Sequence, residues 1–162
     1  MNYFRYILQD YENNRSNTKG RIISICFRIA SFSKKNIYIK IVTFPFLVFY
    51  KFFFEWIIGF EVPYNVKIGE GFQVLHLQAI VINKKTIIGN NCKIRHSLTI
   101  GNNGKSDLCP IIGNNVNIGA NVCIIGGITI GNNVNIGAGS VVVKSFPDDA
   151  ILVGNPAKNI AK

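Results

Sequence analysis

The chain has 162 residues, of which 48% are hydrophobic, and a formal net charge of +10. This apolar content excludes a disordered protein, and the length allows one principal domain with an appendage. The basic charge favours anionic partners such as phosphate-bearing cofactors, sugars or lipid headgroups. The sequence has no arginine-rich stripe or nucleic-acid-binding motif, so we predict that nucleic acid is not a partner.

The first sixty residues carry no six-residue repeat. Residues 1–20 are polar and end in NNRSNTKG, which predicts a loop or a frayed start. Residues 21–60 are rich in Phe, Ile and Tyr, and their apolar run 41–50 contains Pro45 and is too short to span a bilayer. We predict an aromatic-rich, helical cap over residues 1–60 that covers the open end of the domain that follows.

The same part of the chain allows a second interpretation. Residues 41–60 combine aromatic side chains with Lys51 and follow Lys40, a pattern typical of segments at the membrane interface. Asp10 and Glu12 precede any apolar run, so a signal-peptide pattern is absent from the sequence. The four cysteines show no pairing framework, which indicates a reducing compartment. We expect a cytoplasmic protein that makes at most weak contact with the inner face of the membrane.

A six-residue repeat follows this N-terminal part. It is most regular in the segment IIGNNVNIGANVCIIGGITIGNNVNIGAGSVV, where the repeated positions are Ile112, Ile118, Ile124, Ile130, Ile136 and Val142. A period of six fits a short strand followed by a corner, where Gly or Asn adopts a positive φ at little cost. Such repeats indicate a β-helix, in which stacked coils share an aliphatic core. We predict this β-helix over residues 61–145, and a tail at 146–162 that leaves the repeat.

The repeat is broken at two places, and insertions in repeat arrays usually form the working face. The first break lies between Val74 and Ile82, which are eight residues apart, and it contains His76. The second spans residues 102–110, which we predict to be a loop outside the coils. His96 lies twenty residues after His76, one coil of eighteen plus the two inserted residues. The two histidines should therefore stack on one corner edge.

The two histidines, His76 and His96, are the only ones in the chain. They lack a third ligand for a zinc site, so we predict no metal. A histidine beside a carboxylate forms a general base, because the carboxylate fixes the tautomer and supports the imidazolium. Glu61 lies fifteen residues before His76, close to one coil. We therefore predict that His76 is the catalytic base and that Glu61 is its partner.

From Glu61 to Lys158 the sequence resembles the hexapeptide-repeat acyltransferases, and among them the serine acetyltransferase-like branch. KIGEGFQVLH is similar to the family motif that ends on the catalytic histidine, and IGAGSVVVKSFP and VGNPAKNI are similar to motifs that lie along bound CoA. The resemblance implies a left-handed parallel β-helix, a trimer with active sites between subunits, and acetyl-CoA as co-substrate. It also implies these CoA contacts: Ala120, Gly126, Ala138 and Gly139 for the pantetheine arm, Lys144 and Lys158 for the phosphates.

Departures from the family pattern bear on the acceptor. Serine acetyltransferases have an aspartate before the catalytic histidine that contacts the substrate amine, where this chain has Leu75. They grip the serine carboxylate with Arg-His-Pro, where this chain has Leu108-Cys109-Pro110. Galactoside- and maltose-type enzymes carry their histidine where this chain has Asn121. The residues that we expect to line the acceptor site are His96, Leu75, Cys109 and Arg95.

Short, basic members of this branch with an aromatic-rich N-terminal part resemble the O-acetyltransferases of bacterial surface polysaccharides. The resemblance therefore implies an acetyl-CoA-dependent O-acetyltransferase that acts on a sugar hydroxyl of such a polysaccharide or its precursor. A serine O-acetyltransferase of cysteine biosynthesis is one alternative. A non-enzymatic β-helical scaffold is another, and the localised break in the repeat at His76 argues against it.

Overall fold

The computed structural model describes residues 3–161, and it contains a short helical part followed by a parallel β-helix of about five coils. The helices are α1 (Tyr3–Leu8), α2 (Thr18–Phe32) and α3 (Ile37–Phe49). Short 3₁₀ segments lie at Glu12–Asn14 and Ser33–Lys35, and a π-helical segment at Tyr50–Ile57 continues α3. The predicted fold, a left-handed parallel β-helix with an N-terminal helical appendage, is confirmed.

Short strands form three sheets, which are the faces of a three-sided prism. The five-stranded sheet contains β1 (Phe60–Glu61), β4 (Ile80–Ile82), β7 (Thr99–Gly101), β10 (Cys123–Ile125) and β13 (Val141–Val142). The four-stranded sheet contains β2 (Lys67–Ile68), β5 (Ile87–Ile88), β8 (Ile111–Ile112) and β11 (Thr129–Ile130). The six-stranded sheet contains β3 (Gln73–Leu75), β6 (Lys93–Arg95), β9 (Asn117–Ile118), β12 (Asn135–Ile136), β14 (Ile151–Gly154) and β15 (Ala157–Asn159).

The aliphatic residues of the repeat point into the prism and form its core. Ile118, Ile124, Ile130 and Val142 are all fully buried. Each such side chain contributes roughly 1.5–3 kcal/mol by leaving water, so the ladder of stacked residues is the main source of stability. Because the core is continuous from coil to coil, each coil depends on its neighbours.

Asparagines occupy the corner between the four-stranded and six-stranded sheets, and we call this stack the asparagine column. Asn91, Asn115, Asn133 and Asp149 all have φ between 54° and 60°, a conformation that Asn and Asp adopt more readily than other side chains. The amide of Asn115 donates to Asn133 Oδ1 at 3.0 Å, and that of Asn133 donates to Asp149 Oδ1 at 3.0 Å. The column therefore fixes the register of successive coils.

Residues 146–154 differ from the predicted tail. β14 pairs in parallel with β12, with Leu152 opposite Ile136, so the chain completes a last coil. This coil is shorter than the one before it, because Asn133 and Asp149 are 16 residues apart whereas Asn115 and Asn133 are 18 apart. The shorter coil shifts the aliphatic positions and hides the repeat in the sequence. β15 then turns back antiparallel to β14 and covers the edge of the sheet.

The segment before α2 covers the free edge of the first coil. Asn14 Nδ2 donates to the carbonyl of Phe72 at 2.8 Å, and Asn14 Oδ1 accepts from the Val74 N–H at 3.2 Å. Asn17 Nδ2 donates to the Val74 carbonyl at 2.7 Å, while its Oδ1 accepts from the Gly20 N–H and caps α2. These side chains replace a missing strand beside β3. The predicted loop or frayed start is therefore wrong for this segment, which is part of the fold.

A buried ion pair connects α2 to the same coil. Arg28 and Asp10 are each 1% exposed, and Arg28 Nε donates to Asp10 Oδ2 at 2.7 Å. Arg28 Nη1 also donates to the Ile68 carbonyl at 2.8 Å, and Asp10 Oδ1 accepts from the Phe72 N–H at 2.9 Å. The guanidinium and the carboxylate bond to each other and each also bonds to a backbone group of the first coil. The pair therefore holds the helical part on the prism without leaving a buried charge unpaired.

α3 and the π-helical segment form one continuous apolar helix from Ile37 to Ile57. Pro45 lies inside this helix and does not end it. The helix has 21 residues and is long and apolar enough, by length and composition alone, to cross a membrane. We predicted that the apolar run 41–50 is too short to span a bilayer. This length is wrong for the helix, because helical residues on both sides extend the apolar run. Three side chains anchor the helix in the core: Leu47, Tyr50 and Phe54.

Candidate active site

The two histidines lie on the corner between the six-stranded and five-stranded sheets, which we call the histidine edge. His76 follows β3 and His96 follows β6, and these strands pair with Leu75 opposite Arg95. The ring centroids of the histidines are 5.5 Å apart, with the ring planes at 85°. The predicted stacking of the two histidines on one edge is confirmed.

The histidines differ in access. His76 is exposed and has a φ of 65°, and several other corner residues of the coils also have a positive φ. His96 is half-buried, and its Nδ1 atom is buried without a hydrogen-bond partner in the described part of the chain. His76 is therefore the more accessible histidine of the pair. Within residues 3–161, no three His, Cys, Asp or Glu side chains are grouped to hold a metal ion.

A cavity of about 390 Å³ opens beside His76. Its lining residues come from β3, the adjoining corner and the start of α2: Ser16, Asn17, Thr18, Lys19, Leu75 and His76. These side chains offer hydroxyl, amide and ammonium groups and contain no carboxylate. Sequence reasoning missed the four residues from the helical part. The available signal was Asn17, which lies a few residues before the apolar residues that begin at Ile22, because an asparagine ahead of such a run is typical of a helix N-cap.

Glu61 lies on β1 in the first coil and is exposed. It pairs with Val81, and the N–H of Ile80 donates to the Gly59 carbonyl at 3.0 Å. Glu61 is thus on the strand that pairs with β4, and β4 is the strand that follows His76 in the chain. Across residues 3–161, the structure contains no hydrogen bond between the Glu61 carboxylate and the His76 ring, and the role of Glu61 stays a prediction.

The other predicted acceptor residues are only partly brought together. Leu75 lines the cavity with His76. Arg95 lies one coil further along, and its Nη1 donates to Asn117 Oδ1 at 2.8 Å and to the Ile118 carbonyl at 2.9 Å, so it is tied to the next coil. Cys109 is buried in the loop at a different corner, and burial raises the pKa of its thiol.

That different corner joins the five-stranded and four-stranded sheets, and we call it the loop corner. It carries the loop 102–110, in which no strand is formed. Lys85 Nζ lies 2.7 Å from Asp107 Oδ2, and this hydrogen bond lowers the pKa of the Asp107 carboxyl. Gly126 and Lys144 lie at the same corner in later coils, after β10 and β13. The loop corner therefore carries Lys144 in addition to the ion pair of Lys85 with Asp107.

The six predicted CoA contacts divide between three places. Ala120, Ala138 and Gly139 continue the histidine edge, since the Gly139 N–H donates to the Ala120 carbonyl at 2.9 Å. Gly126 and Lys144 lie at the loop corner, whereas Lys158 lies on β15, opposite Val153. A single chain does not bring these groups to one surface.

The glycines of the histidine edge differ in the space around them. Gly139 has a φ of 72°, and a Cβ atom added there would meet no atom within 4 Å, so this position faces open space. A Cβ added at Gly119 would instead lie 2.5 Å from the backbone nitrogen of Ala138. Small residues thus keep the coils closely stacked and leave backbone accessible at Gly139 on this edge.

Comparisons with known proteins identify the family of the chain. Residues 109–144 match the family described as bacterial transferase hexapeptide (six repeats). The chain is 41% identical over 157 residues to the colanic acid biosynthesis acetyltransferase WcaB of Escherichia coli K12, covering 94% of this chain and 97% of that protein. It is 50% identical over 96 residues to serine acetyltransferase 3 of Arabidopsis thaliana, covering 58% of this chain but 25% of that protein.

Solved structures give the same result. Serine acetyltransferase from Brucella abortus strain S19, in complex with coenzyme A, superposes with a TM-score of 0.82 at 25% identity. The match covers 99% of this chain and 68% of that one. The chain therefore belongs to the hexapeptide-repeat acetyltransferases, the family of acyltransferases that includes WcaB, and it is an enzyme of that family.

Proposed function

We propose that this enzyme transfers an acetyl group from acetyl-CoA to a sugar hydroxyl of a bacterial surface polysaccharide or its precursor. The observation that carries the proposal is the cavity at His76, whose described lining has hydroxyl, amide and ammonium groups around Leu75 but no carboxylate. A serine ammonium has no counter-charge there, whereas a sugar hydroxyl needs none. Similarity to WcaB over 97% of its length supports the same acceptor class.

In this proposal His76 acts as the general base. Its exposed imidazole accepts the proton of the acceptor hydroxyl while that oxygen bonds to the acetyl carbonyl, and the CoA thiolate leaves. Acetyl-CoA supplies the activated acetyl group. Glu61, if its carboxylate turns toward the ring, stabilises the imidazolium that forms. Ala120, Ala138 and Gly139 give the pantetheine arm access to the backbone. Lys144 and Lys158 bind the phosphates of CoA.

The acceptor class is tested by incubating the enzyme and acetyl-CoA with nucleotide sugars or surface oligosaccharides, and separately with L-serine. We expect the mass of a sugar product to rise by one acetyl group, and L-serine to give only background acetylation. His76→Asn protein is the matched control, since acetylation that it still catalyses does not come from this site. Efficient acetylation of L-serine with no sugar product would establish the alternative that the serine acetyltransferase relatives favour.

We also propose that the active sites form between the subunits of a homotrimer. His76 lies on the histidine edge, whereas Cys109 and Gly126 lie at the loop corner, across the five-stranded sheet. A neighbouring copy can bring its loop corner to this histidine edge, which a single chain cannot do. Outward apolar side chains on the sheets provide a contact surface: Val81, Ile87 and Ile111.

The trimer predicts a mass in solution of about three times the 18.0 kDa of the chain. Multi-angle light scattering coupled to size exclusion measures this mass directly. An active enzyme with the mass of a single chain would show that one chain contains the whole site, and would contradict the shared arrangement.

A further inference from the structure

The outer face of the helix from Ile37 to Ile57 carries a continuous row of exposed apolar side chains. These residues are spaced by three or four positions, as one face of a helix requires, and we call them the apolar stripe: Ile37, Ile41, Phe44, Val48, Phe52 and Trp56. Phe44 is 60% exposed and Trp56 is 72% exposed. A row of this length on an otherwise folded surface marks a site of interaction with a partner.

The opposite face of the same helix is fixed on the prism. Leu47, Tyr50 and Phe54 are buried in the core, and Tyr50 Oη donates to the Val62 carbonyl at 2.9 Å. A helix held in this way on the first coil cannot be surrounded by lipid without breaking those contacts. The helix can therefore lie along a bilayer with its apolar stripe immersed, but it does not cross the bilayer.

The charges beside the stripe identify the partner. Lys40 borders a depression with Ile37, Ile41 and Phe44, and Lys51 borders another, which is completed by Val48, Phe52 and Trp56. Residues 1–60 contain nine Lys or Arg and three Asp or Glu, a balance of +6. A second copy of this face would repel the first, whereas anionic headgroups would pair with the lysines while aromatic rings enter the interface.

We propose that the apolar stripe, with Lys40 and Lys51, docks this protein on the surface of an anionic lipid bilayer. The proposal does not depend on the acceptor of the acetyl group. In this arrangement the prism stands away from the lipid, because only the helical part carries the stripe.

Co-sedimentation of the full chain with vesicles tests the proposal. The vesicles consist either of phosphatidylcholine alone or of an equimolar mixture with phosphatidylglycerol. We expect binding to the anionic vesicles that weakens between about 0.1 M and about 1 M salt. Lys40→Gln and Lys51→Gln should each lower the partition coefficient roughly fivefold, and Phe52→Ser with Trp56→Ser should lower it by about tenfold or more.

Ile160→Ser is the matched control. Ile160 is also an exposed apolar residue, 56% accessible, but it follows β15 beyond the last coil, so vesicle binding should be unchanged. Thermal stabilisation by CoA shows that each variant is folded. Three results would overturn the proposal: no binding to either vesicle, binding that only detergent reverses, or stripe variants that dissociate the oligomer while vesicle binding persists. The second result would mean a spanning helix, and the third a contact between copies.

Discussion

Substitution of His76 by asparagine is expected to lower the rate of acetyl transfer by about 10²–10⁴-fold, the usual contribution of a positioned general base. The imidazole is exposed at the rim of the cavity, and it contributes nothing to the buried aliphatic ladder. Asparagine suits the φ of 65° at this corner, whereas alanine adds a backbone cost of its own. Initial rates with saturating acetyl-CoA and acceptor measure the effect, and melting temperature shows that the fold is intact.

Two companion variants make the assignment specific. His96→Ala removes a ring that packs at 5.5 Å from His76 but is itself half-buried, so its effect should be smaller. Glu61→Gln should also cost less than loss of the base. CoA binding should survive in every variant, with a stabilisation of about 2.7 kcal/mol at a hundred times its dissociation constant. Full activity in His76→Asn together with an inactive His96→Ala would move the catalytic role to His96.

Replacement of Arg28 by methionine is expected to lower the free energy of unfolding by about 3–5 kcal/mol, because it leaves the carboxylate of Asp10 buried without its partner. It also removes the donor to the Ile68 carbonyl on the first coil. At about 2–4 °C per kcal/mol, the melting temperature should fall by about 6–20 °C. Denaturant unfolding followed by circular dichroism measures the change.

A double variant separates the ion pair from simple loss of packing. Asp10→Asn combined with Arg28→Met should lower the free energy of unfolding by less than the sum of the two single changes, because the double variant has no unpaired buried charge at this place. Lys85→Gln is the surface control, since its pair with Asp107 is exposed, and it should leave the melting temperature unchanged. Additive losses, or an Arg28→Met protein as stable as the parent, would show that the buried pair does not hold the helical part in place.

The repeat made the prism and the stacking of His76 on His96 predictable, because a fixed period converts sequence separation into position. The contacts of Asp10 and Asn14 with the first coil had no such signal, since they join residues 58 to 62 positions apart without periodicity. The last coil could not be recognised from the sequence, because it is two residues shorter than the coil before it. The pattern at Asn17 and Thr18 indicates where α2 begins, but it cannot place that helix start beside His76, because this contact also joins distant residues without periodicity.

The two ends of the prism are covered by different means. At the first coil, side chains such as Asn14 occupy the hydrogen-bonding groups of β3, and at the last coil β15 lies antiparallel on β14. Stacked coils with bare ends would polymerise end to end, as cross-β filaments do. With both ends of the six-stranded sheet paired within the chain, this sheet offers no free edge for end-to-end growth, and the sides of the prism are left for contacts between copies such as those of the proposed trimer.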